Sequence, residues 1–376
     1  MIDLARDTIF VSLAGSHAHG TAHAGSDVDL RGVCIAPLST RLSLFRSFEQ
    51  FEGSLAGTLW EHVRGQLERH PSAQRSLAGK VESVLYDVAK FLGLCAAANP
   101  NALEILFADP RDWLFETPSW RLIYAERARF LTKKVQLTYL GYALAQLKKI
   151  QTHRSWLLTP PSRAPTREEF GLPGAPKLQR EDQDRIERAV AERMRSYGID
   201  TLEMPRATRI ALAERMHSFW SDALSVEPER LEDALREVVT SALQLPAAVV
   251  RALEAERKYR AAVKHWDAYQ AWKSQRNPLR AELEHRYGYD TKHAMHLLRL
   301  MHTGLEVLQH GELRVRRPDA VELLAVRAGQ LSFEQLIARA NELQAEMRAA
   351  ALSSKLADDV DYGFVDGLAL RIIGEN

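Results

Sequence analysis

The stretch Gly15-Ser16-His17-Ala18-His19-Gly20-Thr21-Ala22-His23-Ala24-Gly25-Ser26-Asp27-Val28-Asp29-Leu30-Arg31-Gly32 decides how this chain is read. Residues 8–14 before it, TIFVSLA, are β-branched and aromatic, which predicts a buried strand running into a tight turn at Gly15-Ser16. Glycine removes the Cβ that would hold an anion away, so backbone N–H groups and the Ser16 hydroxyl can approach a phosphate closely. A second strand begins at Asp27. Alternation in Asp27-Val28-Asp29-Leu30 turns both carboxylates to one face and both apolar side chains to the other. Hard ions such as Mg²⁺ take oxygen ligands from one or two carboxylates together with substrate phosphates, so a phosphate cradle beside paired Asp forms one coherent site. The plainer alternative is a Gly/Ser/Asp turn with Asp27 capping the loop and Asp29 in solvent.

Other phosphate motifs are missing. No Gly-Lys-Ser/Thr closes a P-loop, Gly15 to Gly20 lacks the middle glycine of a dinucleotide fingerprint, and the kinase signature set is absent.

Working outward, residues 80–86 (KVESVLY) predict a third strand, followed by an apolar-periodic helix from Val88 to Ala98 that stops at Asn99-Pro100. Strands interleaved with helices predict a small α/β domain over 1–115. Beyond it the period becomes helical, with segments expected at 121–154, 181–197, 205–225, 229–243, 247–274, 290–309 and 332–352. The expectation is therefore an α+β chain, with a larger all-helical domain over 116–376 that contains a Pro-rich loop at 159–179.

Composition narrows the classes. With 376 residues, 46% hydrophobic and 26% charged, the chain is neither disordered nor fibrous. Cys34 and Cys95 are too few and too far apart for a disulfide framework or a zinc ribbon. No run approaches the roughly 18 apolar residues of a membrane helix, and the first residues, MIDLARD, lack a signal-peptide pattern. No membrane partner and a cytoplasmic location are the expectation. The net charge of +1 is a cancellation: residues 121–154 carry +7 and residues 251–299 carry +5, leaving −11 elsewhere. If the basic segments face the Asp pair, they offer a local surface for phosphates without general polyanion affinity.

Several side chains compete for a role. At 100° per residue Lys292, His296, Arg299, Thr303 and Glu306 share one helical face, either solvated or lining a cleft where the cations hold a triphosphate. Tyr142, Gln146 and Lys149 share a face that could reach a base or ribose. Tyr259, Trp266, Tyr269 and Trp272 lie among Lys258, Arg260, Lys264 and Lys273, either as core or as a stacking platform for bases. His17, His19 and His23 invite a zinc reading, but no Cys or regularly spaced His completes it.

Gly15-Ser16, the spacer and Asp27-Val28-Asp29 resemble the mark of the DNA polymerase β-like nucleotidyltransferase superfamily. The extended form Gly-Ser-His-Ala-x-Gly-Thr…Ser-Asp-x-Asp-Leu-Arg-Gly-Val looks like its bacterial and phage branch, some of whose members are associated with RNA repair. Similarity continues through Lys90-Phe91-Leu92, Asn99-Pro100-Asn101-Ala102-Leu103-Glu104 and Gly288-Tyr289-Asp290-Thr291-Lys292-His293-Ala294-Met295-His296-Leu297. The resemblance implies a third carboxylate on a neighbouring strand: Glu82 is the candidate, with Asp87 and Glu104 as alternatives. It further implies two Mg²⁺ or Mn²⁺ ions on Asp27, Asp29 and Glu82, with Gly15 and Ser16 at the triphosphate; His17, like His19 and His23, either hydrogen-bonds within the turn or touches the triphosphate and acceptor. The expected reaction transfers NMP from an NTP to an acceptor hydroxyl and releases pyrophosphate. An RNA 3′ end, tRNA-like, is the favoured acceptor; a protein, a small molecule or a non-catalytic nucleotide- or RNA-binding module are the alternatives.

Overall fold

The computed structural model describes residues 2–174 apart from 24 and 78, residue 188, and residues 247–374 apart from 277. The helices expected at 181–197, 205–225 and 229–243 lie outside the described residues, with only residue 188 recorded as helical.

Five strands form one sheet: β1 (Thr8–Ala14), β2 (Val28–Cys34), β3 (Gln50–Gly53), β4 (Val81–Asp87) and β5 (Trp113–Glu116), in the order β3-β4-β2-β1-β5. Only the β2–β4 pair is parallel, so the sheet is mixed. The Thr/Ile/Phe/Val run of β1 is buried along nearly its whole length because β2 and β5 flank it, as expected for a central strand. The short edge strands β3 and β5 carry too few residues for alternation to announce them in the sequence.

Apolar cores lie on both faces of the sheet. On one, Val11, Leu13, Val28, Leu30 and Leu85 pack with Leu59, Val63 and Leu67 of the Gly57–Leu67 helix. On the other, Phe10 and Val33 join a larger core built from the helices Val88–Ala96, Pro100–Leu106, Lys134–Leu158, Thr291–His310 and Phe333–Ser353. An α+β architecture with a helical C-terminal part is thus the observed one.

Local chemistry sets the helix starts on this second face. Asp87 accepts from the Ala89 N–H, and Asn99 accepts from Asn101 and Ala102 ahead of Pro100. Asp290 caps the Thr291–His310 helix by accepting from the His293 N–H, and that helix ends at Gly311 in the left-handed region. Ser332 and Gln335 make a reciprocal capping box.

The chain divides into two compact units, residues 1–160 with 277–376, and residues 161–276. Residues 1–115, expected as a domain, therefore share their compact unit with 116–160 and the C-terminal helices. The reason is the shared core, since Phe10 and Val33 of the sheet and Tyr139, Leu297 and Leu343 of three helices belong to one cluster. Within the second unit Arg167 pairs with Glu256 and lies 5.3 Å over the Tyr259 ring, and Phe170 meets the same ring at 5.8 Å. Along its Ala247–Gln275 helix, Trp266, Tyr269 and Trp272 follow one another at 5.9 and 6.0 Å, with Tyr269 buried.

Candidate active site

The turn after β1 and the start of β2 lie side by side because Ala14 pairs with Asp29 across the antiparallel ladder. Gly15 has φ +59°, and a Cβ built on it would overlap Oδ2 of Asp29. Only glycine fits: a side chain would be strained in this backbone region and would displace the carboxylate.

On β2, Val28 and Leu30 are fully buried toward the Gly57–Leu67 helix, while Asp29 and Arg31 are half-buried on the opposite face. Arg31 donates to the Leu30 carbonyl at 2.8 Å and its Nη2 lies 3.7 Å from Asp29. Asp27 immediately precedes the strand and is exposed. Glu82 is the direct register partner of Asp29 on parallel β4, so the two side chains share a face. Glu82 itself pairs with Lys80 at 2.5 Å, which holds its carboxyl below the usual range. The carboxylates of Asp27, Asp29 and Glu82 are not all within 4.8 Å of one another; Asp29 turns toward Arg31 and Glu82 toward Lys80.

The Asp29 face opens into a cavity of about 460 Å³. Gly15, Asp29, Lys292, His296 and Arg299 all line it, as do Tyr142 and Gln146. Ser16, His17, Asp27, Glu82 and Lys149 are not among its lining residues. His17, a candidate for the triphosphate, is only 1% exposed, and burial pushes its pKa down. It belongs to the packing of the turn, because the Gly15–His19 segment is helical and folds that ring inward.

The polar face of the Thr291–His310 helix is largely sequestered. Arg299 is 7% exposed and pairs with Glu104, whose other oxygen is 3.0 Å from Nε2 of His19. Burial alone would raise the Glu104 pKa, but Arg299 and His19 outweigh it and hold the carboxyl well below the usual range. Burial, and then Arg299, push the His19 pKa below the ordinary imidazole value. His296 is pushed down to about 3 by burial, with Arg299, His19 and Lys292 adding to the shift. Lys292 is exposed and pairs with no carboxylate among the described residues. Farther along, Glu306 is closed off by Arg317 and Arg314, each at 2.8 Å.

Glu104 is thus a cavity-wall anchor rather than an open ligand. Asp87, the other alternative, is 4% exposed and serves as a helix cap and as the partner of Arg41 at 2.5 Å. The three N-terminal histidines diverge: His19 goes to Glu104, and His23 Nε2 lies 2.7 Å from Arg327. The basic segment 121–154 is partly neutralised, since Lys133, Lys134 and Arg129 meet Asp358, Asp359 and Asp361. The sequence pattern did not flag Ser12, Arg31 or Asn101, which also line the cavity. Ser12 was the legible one: a hydroxyl inside an apolar strand, now 1% exposed, with an Oγ that has no hydrogen-bond partner among the described residues.

Residues 4–157 match the family model RlaP, described as the RNA repair pathway DNA polymerase beta family. This match supports a polymerase β-like nucleotidyltransferase family with an RNA-repair association for that segment. It includes the whole sheet and both Gly15 and Asp29, but not the Lys292 helix. The chain is also similar to the "Uncharacterized 38.9 kDa protein in nrdC-mobD intergenic region" of Enterobacteria phage T4, 27% identical over 144 residues. That alignment spans 38% of this chain and 38% of the phage protein. No solved structure matches the chain. Among the described residues no helix is long and apolar enough to cross a membrane.

The oxygen-only set Asp27, Asp29 and Glu82 suits a hard divalent cation. The missing Cβ at Gly15 lets the Asp29 carboxylate lie directly against the turn, where it lines the cavity.

Proposed function

We propose that the chain transfers a nucleoside monophosphate from an NTP to an acceptor hydroxyl, with an RNA 3′ end as acceptor, in the cytoplasm. The acceptor oxygen forms a new bond to the α-phosphorus, the bond to the β-phosphate oxygen breaks, and pyrophosphate leaves. The hydroxyl proton passes to one of the Asp27, Asp29 and Glu82 carboxylates. These three would hold two Mg²⁺ or Mn²⁺ ions, which when bound neutralise charge on the transferred and departing phosphates.

The observation that carries this reading is that Gly15 and Asp29 open onto one cavity with Lys292 and Arg299. A polar, net cationic wall beside a carboxylate suits a triphosphate better than a neutral ligand. Lys292 meets the phosphates directly. Arg299, tied to Glu104, contributes mainly field and wall rigidity. Gln146, Asn101 and Tyr142 supply hydrogen-bonding groups for base or ribose, and the RNA acceptor rests on the RNA-repair family match.

The test incubates the protein with each α-labelled NTP, Mg²⁺ or Mn²⁺, and a panel of RNAs, proteins and small hydroxyl acceptors. Label is expected on RNA 3′ ends and is expected to disappear in Asp27→Asn plus Asp29→Asn. Label on a protein or small molecule would overturn the acceptor, and transfer surviving in the double variant would overturn the site.

A further inference from the structure

We propose that Arg31, with Ser12 beside it, holds the phosphoryl group that is transferred, a role that rests on the nucleotidyl-transfer reading above. Both residues line the cavity into which Asp29 opens. Ser12 on β1 and Arg31 on β2 are direct register partners, and Arg31 follows Asp29 by one full alternation. All three side chains therefore leave the same face of the sheet, with Arg31 about 6.5 Å along the strand from Asp29.

The guanidinium of Arg31 differs from the other cations of this wall. Arg299 is committed to Glu104, and Lys292 enters from the Thr291–His310 helix. Arg31 is held by the sheet itself: Nη1 donates to the Leu30 carbonyl at 2.8 Å, which orients the guanidinium plane. Its Nη2 lies 3.7 Å from Oδ1 of Asp29, beyond the usual hydrogen-bond range of about 2.7–3.2 Å. Among the described residues no carboxylate is hydrogen-bonded to Arg31, so most of its N–H donors are left for an anionic oxygen. The charge reaches both candidate carboxylates of the sheet: Lys80 does most to lower the Glu82 pKa, and Arg31 adds to it.

Position selects which phosphate. Asp29 is one of the carboxylates proposed to act at the phosphorus under attack, and a cation 3.7 Å from it stands beside that group. Lys292 and Arg299, on a different element, are left for the departing pyrophosphate. Ser12 adds a second observation, since its Oγ is buried without a hydrogen-bond partner among the described residues. Leaving a buried hydroxyl unpaired is unfavourable, and the cavity is the side from which a phosphoryl oxygen can accept from it. Arg31 makes and breaks no bond. It donates N–H groups to non-bridging oxygens of the α-phosphate and so offsets the charge that the attacking hydroxyl meets.

The test compares full-length wild type with Arg31→Gln, Arg31→Lys and Ser12→Ala in the label-transfer assay. Arg31→Gln is expected to lower kcat on the order of 100-fold with little change in the KM for NTP, and Arg31→Lys, which keeps the charge but not the fork, to fall between. An NTP carrying sulfur in place of a non-bridging α-oxygen accepts hydrogen bonds poorly there and should slow wild type. It should slow Arg31→Gln much less, because the contact that sulfur weakens is already gone. An equal sulfur effect in both proteins, or an unchanged kcat in Arg31→Gln, overturns the assignment and leaves the transfer reading standing. Binding of Mn²⁺ without nucleotide, followed by electron paramagnetic resonance, needs no turnover: removing the cation beside Asp29 should tighten it severalfold, whereas Arg31→Lys should bind as wild type does. Unchanged or weaker Mn²⁺ binding in Arg31→Gln overturns the proposal as well. Ser12→Ala is expected to melt no lower than wild type, since the hydroxyl has no partner to lose, yet to transfer more slowly; transfer at the full rate removes Ser12 from the assignment. Wild type that labels no acceptor overturns the transfer reading, and this assignment with it, a result distinct from every outcome above.

Discussion

Gly15 and Asp29 occupy one space: the carboxylate oxygen of Asp29 stands where a Cβ on residue 15 would be. The glycine of the turn and the second aspartate of the strand are therefore a single feature, joined through the Ala14–Asp29 pairing of β1 and β2. Gly15→Ala should combine left-handed backbone strain of roughly 1–2 kcal/mol with a displaced Asp29. We expect NMP transfer to fall by more than about tenfold, the change that 1.4 kcal/mol in a barrier brings, while the melting temperature drops by only a few degrees. Steady-state transfer rates and thermal melts measure the two effects separately.

Asp29 and Asp87 should part company in opposite ways. Asp87 is buried against Arg41 and the Ala36 and Ala89 N–H groups, so Asp87→Asn leaves a cation without its partner and should cost about 3–5 kcal/mol. Asp29→Asn removes a half-buried carboxylate and should leave stability within about 1 kcal/mol while abolishing transfer. Denaturant titrations of both variants, set beside their transfer rates, test the contrast.

Lys292→Ala should raise the KM for NTP by on the order of tenfold, the equivalent of about 1.4 kcal/mol, and leave the melting temperature unchanged. The side chain is exposed and lines the cavity without an acidic partner among the described residues. A shift in thermal stability without a KM effect would assign Lys292 to the fold instead.

Acid should unfold the protein early. Burial lowers the pKa of His17, His19 and His296, the last to about 3 from the ordinary 6.5. Between those values the unfolded chain binds protons that the folded chain refuses, so stability is greatest above pH 6.5 and declines as pH falls toward 3. Glu104, held below its usual range by Arg299 and His19, adds to the loss once the pH drops below its unfolded value of about 4.5. Melting curves from pH 8 to pH 4 should show the decline, and His296→Gln should flatten it.

How much of this was legible in the sequence depended on how local the information was. The strand ending at Gly15, the alternation of Asp29 with Val28 and Leu30, and the amphipathic Thr291–His310 helix follow from spacing of two or of three and four along the chain. The mixed α+β layout follows from the same periodicities. Tertiary structure alone decided what the polar groups meet. Arg299, on the face read as solvated or cleft-lining, is buried because Glu104, nearly two hundred residues earlier, neutralises it. His17, which the sequence left between a place in the turn and contact with a triphosphate, is folded into the turn. Asp290, which caps the Thr291–His310 helix, faces an imidazole from a helix more than a hundred residues away. Periodicity determines which side of an element a residue takes, whereas charge pairing and burial depend on which element packs against that side, and that is settled only when the chain closes on itself.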